Sequence, residues 1–294
     1  MLRSLTQPKT PVDSMGFRLR GLEMTRLETF VDAAFAFSVT MLALSPDRIP
    51  RSYAEMIDLF KGIPAFVASL ALLLLFWHAH VRRSRRYGLD DGAMAFLSGA
   101  FIAVMLVYVY PLKYMIGTFF EFYIPPLRAP GFANTFGSSR DLATMFVFMS
   151  SGFVGMHLML ALMDRHALRR ADELGFTAHE VRLVRCEFGS SLVYMAVGMA
   201  SVLLAIGLRN QGIAVITAGF VYALLGVLMP VYWKLAGPSA DDTRGAISAA
   251  GYNADGAGRR LLDPRVDPAV EHVDDQVEDD QHRREDQDHA HDQE

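Results

Sequence analysis

The sequence predicts an all-α membrane protein with six transmembrane helices per subunit, and three observations support this class. Of the 294 residues, 52% are hydrophobic and only 20% are charged. Six apolar segments approach the length of about 20 residues that a helix needs to cross a hydrocarbon core. Leu, Ala, Met and Phe dominate these segments, which lack the alternating pattern of a membrane β-strand. The predicted spans are 27–45, 62–81, 92–114, 142–163, 187–208 and 211–233.

The distribution of basic residues predicts the orientation of these spans. Arginine and lysine are concentrated in the amino-terminal segment and in the second and fourth connections, whereas the alternate connections contain fewer. Basic residues close to span ends favour the cytoplasmic side of a membrane. We therefore expect both termini to be cytoplasmic. The cluster of arginines at 82–86 is interpreted as part of this topological signal, with contact to anionic lipid as the alternative.

Composition divides the chain into three regions. Residues 1–25 form a predicted cytoplasmic amino-terminal segment, 26–235 the transmembrane domain, and 236–294 an acidic cytoplasmic tail. From Ser239 onward the chain holds 16 acidic and 6 basic residues. A segment with so few apolar residues cannot bury a core, so we expect the tail to be disordered.

The first span has two different faces and one acid close to its start. On a helix, Phe30, Phe37, Met41 and Leu44 fall on one bulky stripe, whereas Asp32 lies on a face of small residues that allows close helix packing. One interpretation makes Asp32 an interfacial residue, because a helix start favours a negative charge. The other places it at a helix contact inside the bilayer, where an acid needs a partner.

Several side chains on the same predicted side of the membrane are candidate partners for this acid. Arg26 is the nearest in the chain. The second span ends with Trp77, His78 and His80, whose rings can donate hydrogen bonds to a buried carboxylate. Amphipathic rings also favour the headgroup level of a bilayer, so an interfacial role explains them equally well.

No pattern in the sequence indicates an enzyme, a metal site or a nucleic-acid-binding protein. A nucleophile and a base do not occur together at membrane depth, and metal-ligand spacings are not found. We therefore expect no catalytic residue and no cofactor. Cys186 is assigned to packing, and His157 to a hydrogen bond between helices, with a proton relay as the alternative.

Two motifs resemble those of a known family. The sequence RLETFVD at 26–32 resembles the R-x-x-x-F-S-D signature that opens the first helix in bacterial relatives of the endolysosomal potassium channel, the transmembrane protein 175 family. The pair Trp77 and His80 resembles the tryptophan and histidine at the end of that family's second helix. The similar six-span layout extends to about residue 235.

This resemblance implies a cation channel in which four subunits surround a pore lined by their first helices. In that family, the signature residues form a polar network with the tryptophan and histidine, apolar side chains form the constriction, and a threonine beside it is implicated in selectivity. Carried over to this chain, the network comprises Arg26, Phe30, Asp32, Trp77 and His80, the constriction comprises Phe37, Met41 and Leu44, and the threonine is Thr40.

The chain departs from the family pattern at two positions. Val31 replaces the signature serine, so the network lacks that hydroxyl unless Ser38 replaces it. Phe37 replaces the usual branched aliphatic residue at the narrowest ring. Four phenylalanine rings at one level either close the pore more tightly or offer their faces to a cation, and the sequence leaves both alternatives open.

The implied function is a homotetrameric, potassium-selective or potassium-preferring leak channel of the bacterial plasma membrane, with K⁺ and membrane lipids as its partners. The alternative is a non-conducting or proton-linked six-helix transporter or scaffold, in which Asp32, His80 and His157 would be relay residues. A transporter is expected to show a second intramembrane charge and interrupted helices in paired halves, and the sequence indicates neither.

Overall fold

The computed structural model describes residues 11–43, 51–127 and 137–249, and its long elements are α-helices. Short 3₁₀ turns lie at Pro125–Leu127, Gly212–Ile216 and Val221–Leu224. The helices are α1 (Arg26–Ala43), α2 (Tyr53–Lys61), α3 (Ile63–Tyr87), α4 (Gly92–Tyr123), α5 (Ser139–Arg169), α6 (Ala178–Gly207), α7 (Thr217–Phe220), α8 (Leu225–Ala236) and α9 (Ala240–Ala249).

Five helical segments in the described part of the chain are long and apolar enough to cross a membrane. They correspond to the second to sixth predicted spans, so the all-α membrane class is confirmed. The first predicted span coincides with α1 as far as Ala43, and the count of six spans stays a prediction. The five segments are Tyr53–Tyr87, Gly92–Tyr123, Ser139–Arg169, Ala178–Gly207 and Thr217–Ala236.

The longest helices extend beyond the predicted spans. With a rise of about 1.5 Å per residue, the 32 residues of α4 span roughly 48 Å, whereas a hydrocarbon core is about 30 Å thick. Their ends therefore project into the interfacial regions. The long helices α3 and α5 carry charged residues in these projecting turns. Polar side chains cap the starts of the neighbouring helices α4 and α6.

Capping residues set where several helices begin and end. The side chains of Asp91, Ser138 and Thr177 accept backbone hydrogen bonds at the starts of α4, α5 and α6. Gly88 ends α3 in the left-handed region, with a φ of 58°. A Cβ atom at Gly88 would lie 2.8 Å from the backbone of Arg20, so glycine is needed here for both its φ and its contact.

The helices α5 and α6 pack closely through small and hydroxyl residues. A Cβ atom at Gly198 would lie 2.7 Å from a methyl group of Val154, so a larger residue would separate the two helices. The hydroxyl of Ser150 donates to Ser201 across 2.8 Å and accepts from Tyr222 across 2.9 Å. These bonds connect α5 and α6 to the final apolar segment without burying an unpaired polar group.

The amino-terminal segment forms a compact hairpin that packs against the end of α3 and the start of α6. Val12 and Arg18 form an antiparallel bridge, and Gly16 turns the chain with a φ of 76°. The ring of Phe17 is fully buried and packs edge-on against Phe176 at a centroid distance of 5.5 Å. This hairpin lies just before α1 in the chain, so the first helix begins next to a folded segment.

The described part of the predicted tail differs from the expectation of disorder. Residues 240–249 form α9, whose Asp242 accepts a hydrogen bond from Arg182 across 2.9 Å. Ser239 caps the helix start by accepting from the backbone N–H of Asp242. Local capping and one ion pair explain a short helix that hydrophobic patterning does not predict. Residues 250–294 lie outside the described part.

Candidate functional site around the first helix

The helix α1 has one buried face and one exposed face. Its buried residues are Val31, Phe35, Ser38 and Leu42. On the opposite side, two residues of the predicted bulky stripe face away from the rest of the chain, with Phe30 60% and Phe37 57% exposed. Thr40 is also exposed, whereas Met41 is half-buried and packs partly against the main apolar core. Leu44 lies outside the described residues.

Asp32 has a hydrogen-bonding partner on the second span. The indole Nε1–H of Trp77 donates to its Oδ1 across 2.8 Å, and the Trp77 ring packs against Phe35 at 5.8 Å. Arg26, the candidate nearest in the chain, is exposed and makes no hydrogen bond or ion pair with the residues that the structure describes. The acid therefore lies at a contact between α1 and α3.

His80 lies next to this contact, but its hydrogen-bonding partner is on α4. The imidazole is 4% exposed, its Nε2 lies 3.0 Å from the Ser98 hydroxyl, and its ring stacks on Phe101 at 5.4 Å. His80 therefore connects α3 to α4, and no direct bond joins it to Asp32. Both side chains line one cavity of about 80 Å³ together with Glu28.

A second contact between α1 and α3 was missed by the sequence analysis. The hydroxyl of Ser84 donates to Glu28 Oε1 across 2.5 Å, and Glu28 Oε2 accepts from the backbone N–H of Thr25. Thr25 in turn caps the backbone N–H of Glu28, which completes a capping box at the start of α1. The T-x-x-E pattern at 25–28 is the signal that indicates it.

The hydroxyl groups of α1 bind within their own helix. Ser38 donates to the carbonyl of Ala34 across 2.9 Å, and Thr40 donates to the carbonyl of Ala36 across 3.0 Å. Ser38 therefore does not supply the hydroxyl that Val31 lacks. Val31 itself is 2% exposed and contributes to the packing of the buried face.

One basic residue reaches the far end of α1. Lys113 of α4 is half-buried, and its ammonium donates a hydrogen bond to the backbone carbonyl of Leu42. It is the single charged residue between Asp91 and Glu121 in the sequence. The sequence analysis missed it because one lysine at the end of a predicted span does not alter the hydropathy pattern.

Two arginines of the 82–86 cluster are buried in ion pairs, so the topological interpretation alone does not account for them. Arg83 binds both carboxylate oxygens of Asp164 at 2.8 and 2.9 Å, and the hydroxyl of Tyr87 donates to the same carboxylate across 2.6 Å. Arg86 binds Glu187 across 2.6 Å and Asp13 across 2.7 Å. These bonds join α3, α5, α6 and the amino-terminal hairpin.

The buried carboxylates of Asp164 and Glu187 bear on the expectation that the predicted spans carry no second charge. Asp164 and Glu187 belong to α5 and α6, and both are fully or almost fully buried. Asp164 lies one residue beyond the predicted span 142–163, whereas Glu187 is the first residue of the predicted span 187–208, so the expectation of no second charge is wrong for Glu187. Each carboxylate lies opposite an arginine of α3. They act as packing contacts between helices, since each already has cationic partners.

Two further groups of charged residues, around Glu180 and around Asp91, hold the loops at this end of the helix bundle. Glu180 accepts from Arg18 and Arg20, each with a shortest distance of 2.9 Å. The hydrogen bond to Glu180 raises the pKa of the Arg18 guanidinium. Burial lowers the pKa of Arg20, and the bonds to Glu180 offset only part of that effect. The hairpin is thereby held to the start of α6.

Asp91 forms the second group. Its carboxylate accepts from Arg170 across 2.5 Å and lies 2.8 Å from His166 Nε2. Burial raises the pKa of this carboxyl, but the Met94 N–H, His166 and Arg170 outweigh burial, so its pKa lies below the ordinary value of 3.8. The start of α4 is therefore held to the end of α5 by charge.

His157 contradicts the predicted bond between helices. Its Nδ1 lies 3.0 Å from the carbonyl of Phe153 in its own helix, and its ring packs against Tyr194 at 4.4 Å and Phe76 at 5.0 Å. Aromatic packing, rather than a polar bond, connects this histidine to α3 and α6. Cys186 donates from its thiol to the carbonyl of Ala236 across 2.7 Å.

The fold and this site define a class of protein: a helical membrane protein whose first helix is anchored by polar contacts on one side and presents bulky apolar residues on the other. Residues 26–111 match the family model described as the endosomal/lysosomal potassium channel TMEM175. The matched region begins at the first residue of α1 and includes both motifs.

Two relatives extend the match over most of the chain. A potassium channel of Marivirga tractuosa is 28% identical over 226 residues, which cover 74% of this chain and 90% of that protein. A crystal structure of a variant of the potassium channel MtTMEM175, in complex with a nanobody–MBP fusion protein, superposes with a TM-score of 0.68. It is 26% identical and covers 74% of this chain and 96% of that one. The resemblance to the TMEM175 family is thus confirmed, and these relatives support a potassium-channel function.

Proposed function

We propose that this chain forms a homotetrameric, potassium-selective or potassium-preferring leak channel of the bacterial plasma membrane. The first helices of four subunits line its pore, K⁺ is the permeant ion, and both termini are cytoplasmic. The potassium channels to which the chain is similar support this proposal. No cofactor takes part in passive ion flux through such a pore.

The observation that carries this proposal is the orientation of α1. Phe30 and Phe37 are exposed on one face, whereas the opposite face is buried against the subunit and bonded through Asp32 and Glu28 to α3. Polar bonds at two successive turns fix the rotation of the helix about its axis. The bulky stripe is therefore held in one direction, as a pore-lining face requires.

The proposed constriction consists of Phe37, Met41 and Leu44, with Thr40 beside it. Apolar rings narrow a pore and resist wetting, so an ion must lose part of its hydration to pass. The 57% exposure of Phe37 within one subunit leaves its ring available to meet three symmetry-related copies. Because phenylalanine is bulky, we expect this ring to limit the flux.

The proposed polar network positions α1 and does not bind the ion. Asp32 and Trp77 form its central contact, and His80 supports α3 from the side of α4. Arg26 and Phe30 are exposed in the single chain, which leaves them free to contact neighbouring subunits. We assign these two residues to the same network on the basis of the family resemblance.

Flux through purified protein in potassium-loaded liposomes tests the proposal. We compare the wild type, Phe37→Ala, and Phe148→Ala as a matched control, because Phe148 is similarly exposed at 63% but lies on α5. We expect potassium flux in the wild type, a several-fold increase for Phe37→Ala, and no change for Phe148→Ala. Replacement of K⁺ by Na⁺ measures the preference between the two ions.

The result that overturns the proposal is equally specific. If wild type and Phe37→Ala both assemble as tetramers and both leave the ion gradient intact, the chain does not conduct. If Phe148→Ala raises the flux as much as Phe37→Ala, the constriction is not formed by α1. A monomer in membranes or mild detergent would exclude the central pore.

A further inference from the structure

Lys113 is an intramembrane cation that the proposed channel mechanism has not used. It lies in α4, 21 residues after the helix start at Gly92, near the outer edge of a hydrocarbon core of roughly 30 Å. The side chain is half-buried, and no carboxylate of the described residues lies within ion-pair distance of it. Charged residues at such depth are costly, and they usually serve a function with a definite partner.

The partner of Lys113 is the backbone of α1. Its ammonium donates to the carbonyl of Leu42, in the last described turn of that helix. A carbonyl oxygen has two lone pairs, so the Leu42 carbonyl can accept from this ammonium and satisfy a charge that is costly at membrane depth. The Leu42 side chain is fully buried, which places this contact on the face of α1 that packs against its own subunit.

Together with the contacts described above, this bond anchors α1 at both ends. Asp32 and Glu28 bind α3 near the start of the helix, and Leu42 binds α4 near its end. Asp32 and Leu42 are ten residues apart, or about 15 Å along the axis. Phe37 lies midway between them, so its direction depends on both anchors.

We propose that Lys113 is a positioning residue for the outer half of α1. Its bond to Leu42 fixes the turn that carries Met41 and thereby limits the rotation of the helix segment beyond Phe37. The effect of Lys113 on ion flux rests on the proposed channel function. Its effect on the order of α1 does not, because the hydrogen bond exists within one subunit.

The test compares Lys113→Met, Lys113→Arg and the control Lys61→Met. Methionine keeps most of the length and apolar volume of lysine but cannot donate a hydrogen bond, whereas arginine can. Lys61 lies on α2 and pairs with Asp58 across 2.6 Å, so its loss removes a lysine charge without touching α1. Hydrogen exchange in the peptide 36–43 and potassium flux in liposomes are measured for each protein.

We expect several-fold faster exchange at 36–43 in Lys113→Met, with exchange at 27–33 unchanged and potassium flux raised severalfold. Lys113→Arg and Lys61→Met should match the wild type in both measurements. Wild-type exchange at 36–43 in an assembled Lys113→Met protein would overturn the proposal, as would an Arg variant that behaves like the Met variant. If the wild type does not conduct, the channel proposal fails, while the exchange comparison still decides the role of Lys113.

Discussion

The indole of Trp77 and the carboxylate of Asp32 are joined by a hydrogen bond of 2.8 Å between α3 and α1, although the two residues are 45 positions apart in the chain. Asp32 is half-buried at this contact, and the Trp77 ring also covers Phe35 on the buried face of α1. A directional bond and a ring contact at one position restrict both the rotation and the height of α1. The acid in the first helix therefore anchors α1 to α3 within the chain.

Replacing Trp77 by Phe should destabilise the protein through the loss of this bond. Phenylalanine keeps an aromatic ring but has no N–H, so the carboxylate of Asp32 loses its donor. Hydrogen bonds to charged groups contribute about 1.5–3 kcal/mol in water-soluble proteins and less between membrane helices, so we expect about 1–2 kcal/mol. The thermal midpoint of the assembled protein in mild detergent measures this loss.

The other tryptophan of the chain is the matched control for that experiment. Trp233 is half-buried against the main core, and its indole N–H makes no hydrogen bond to a residue that the structure describes. Trp233→Phe should therefore change the midpoint much less than Trp77→Phe. Equal shifts for the two variants would show that ring volume, rather than the bond to Asp32, determines the effect.

Removing the carboxylate of Asp164 should be more damaging. Asp164→Ala leaves Arg83, which is 4% exposed, without the two bonds of 2.8 and 2.9 Å that neutralise it. Breaking a buried ion pair costs about 3–5 kcal/mol. Because Glu187 Oε2 remains 4.0 Å from the Arg83 guanidinium, we expect a loss near the lower end, about 3 kcal/mol, in the free energy of unfolding. Denaturation in mild detergent measures it.

A double variant separates the cost of an unpaired charge from the contribution of the pair. Arg83→Met combined with Asp164→Leu removes both charges and keeps the space filled, so it should recover most of the stability lost in Asp164→Ala. A double variant as unstable as the single one would mean that the ion pair itself, with the Tyr87 hydroxyl, is needed for the helix packing.

Stability at low pH should depend on Asp91. Because its pKa in the folded protein is depressed below 3.8, its ionised form stabilises the fold. That contribution is fully present above the unfolded value and is lost as the pH falls through the lower folded value. Asp91→Asn, which retains a side chain suited to cap α4, should therefore melt below the wild type at neutral pH. The difference should shrink as the pH falls below 3.8.

Asp90 provides the control for this pH series. It is exposed and directly precedes Asp91, and it forms no ion pair with the described residues. Asp90→Asn should follow the wild-type melting curve across the series. A constant difference between wild type and Asp91→Asn at all pH values would attribute the effect to capping geometry and not to charge.

How much of this structure can be predicted from the sequence depends on how far apart the interacting residues lie in the chain. The apolar spans and the exposed stripe containing Phe37 follow from local periodicity, because a helix places residues three and four apart on one face. The capping box at Thr25 and Glu28 is equally local and was available in the pattern. These features need no knowledge of which helices meet.

The contacts that fix α1 and the bundle are not local. Arg26 is close to Asp32 in the chain and was the natural candidate, yet the partner is Trp77 on another helix. Arg83 and Asp164 are 81 residues apart, and Arg86 and Glu187 are 101 apart. Charge patterning could indicate the side of the membrane for these arginines, but only the arrangement of helices determines that they are buried and paired.

The amino-terminal hairpin should detach when Phe17 is replaced. Its ring is fully buried, lies under the guanidinium groups of Arg20 and Arg86 at 5.5 and 5.0 Å, and packs against Phe176. Truncation of a buried phenylalanine costs about 3–5 kcal/mol, so Phe17→Ala should release residues 11–21 while the helices remain folded. Trypsin should then cut after Arg18 and Arg20 much faster than in the wild type, as followed by mass spectrometry of the fragments.

Leu22→Ala is the control, because Leu22 is 54% exposed and lies just beyond the hairpin. Rapid cleavage at these arginines in the wild type itself would contradict the docking of the hairpin.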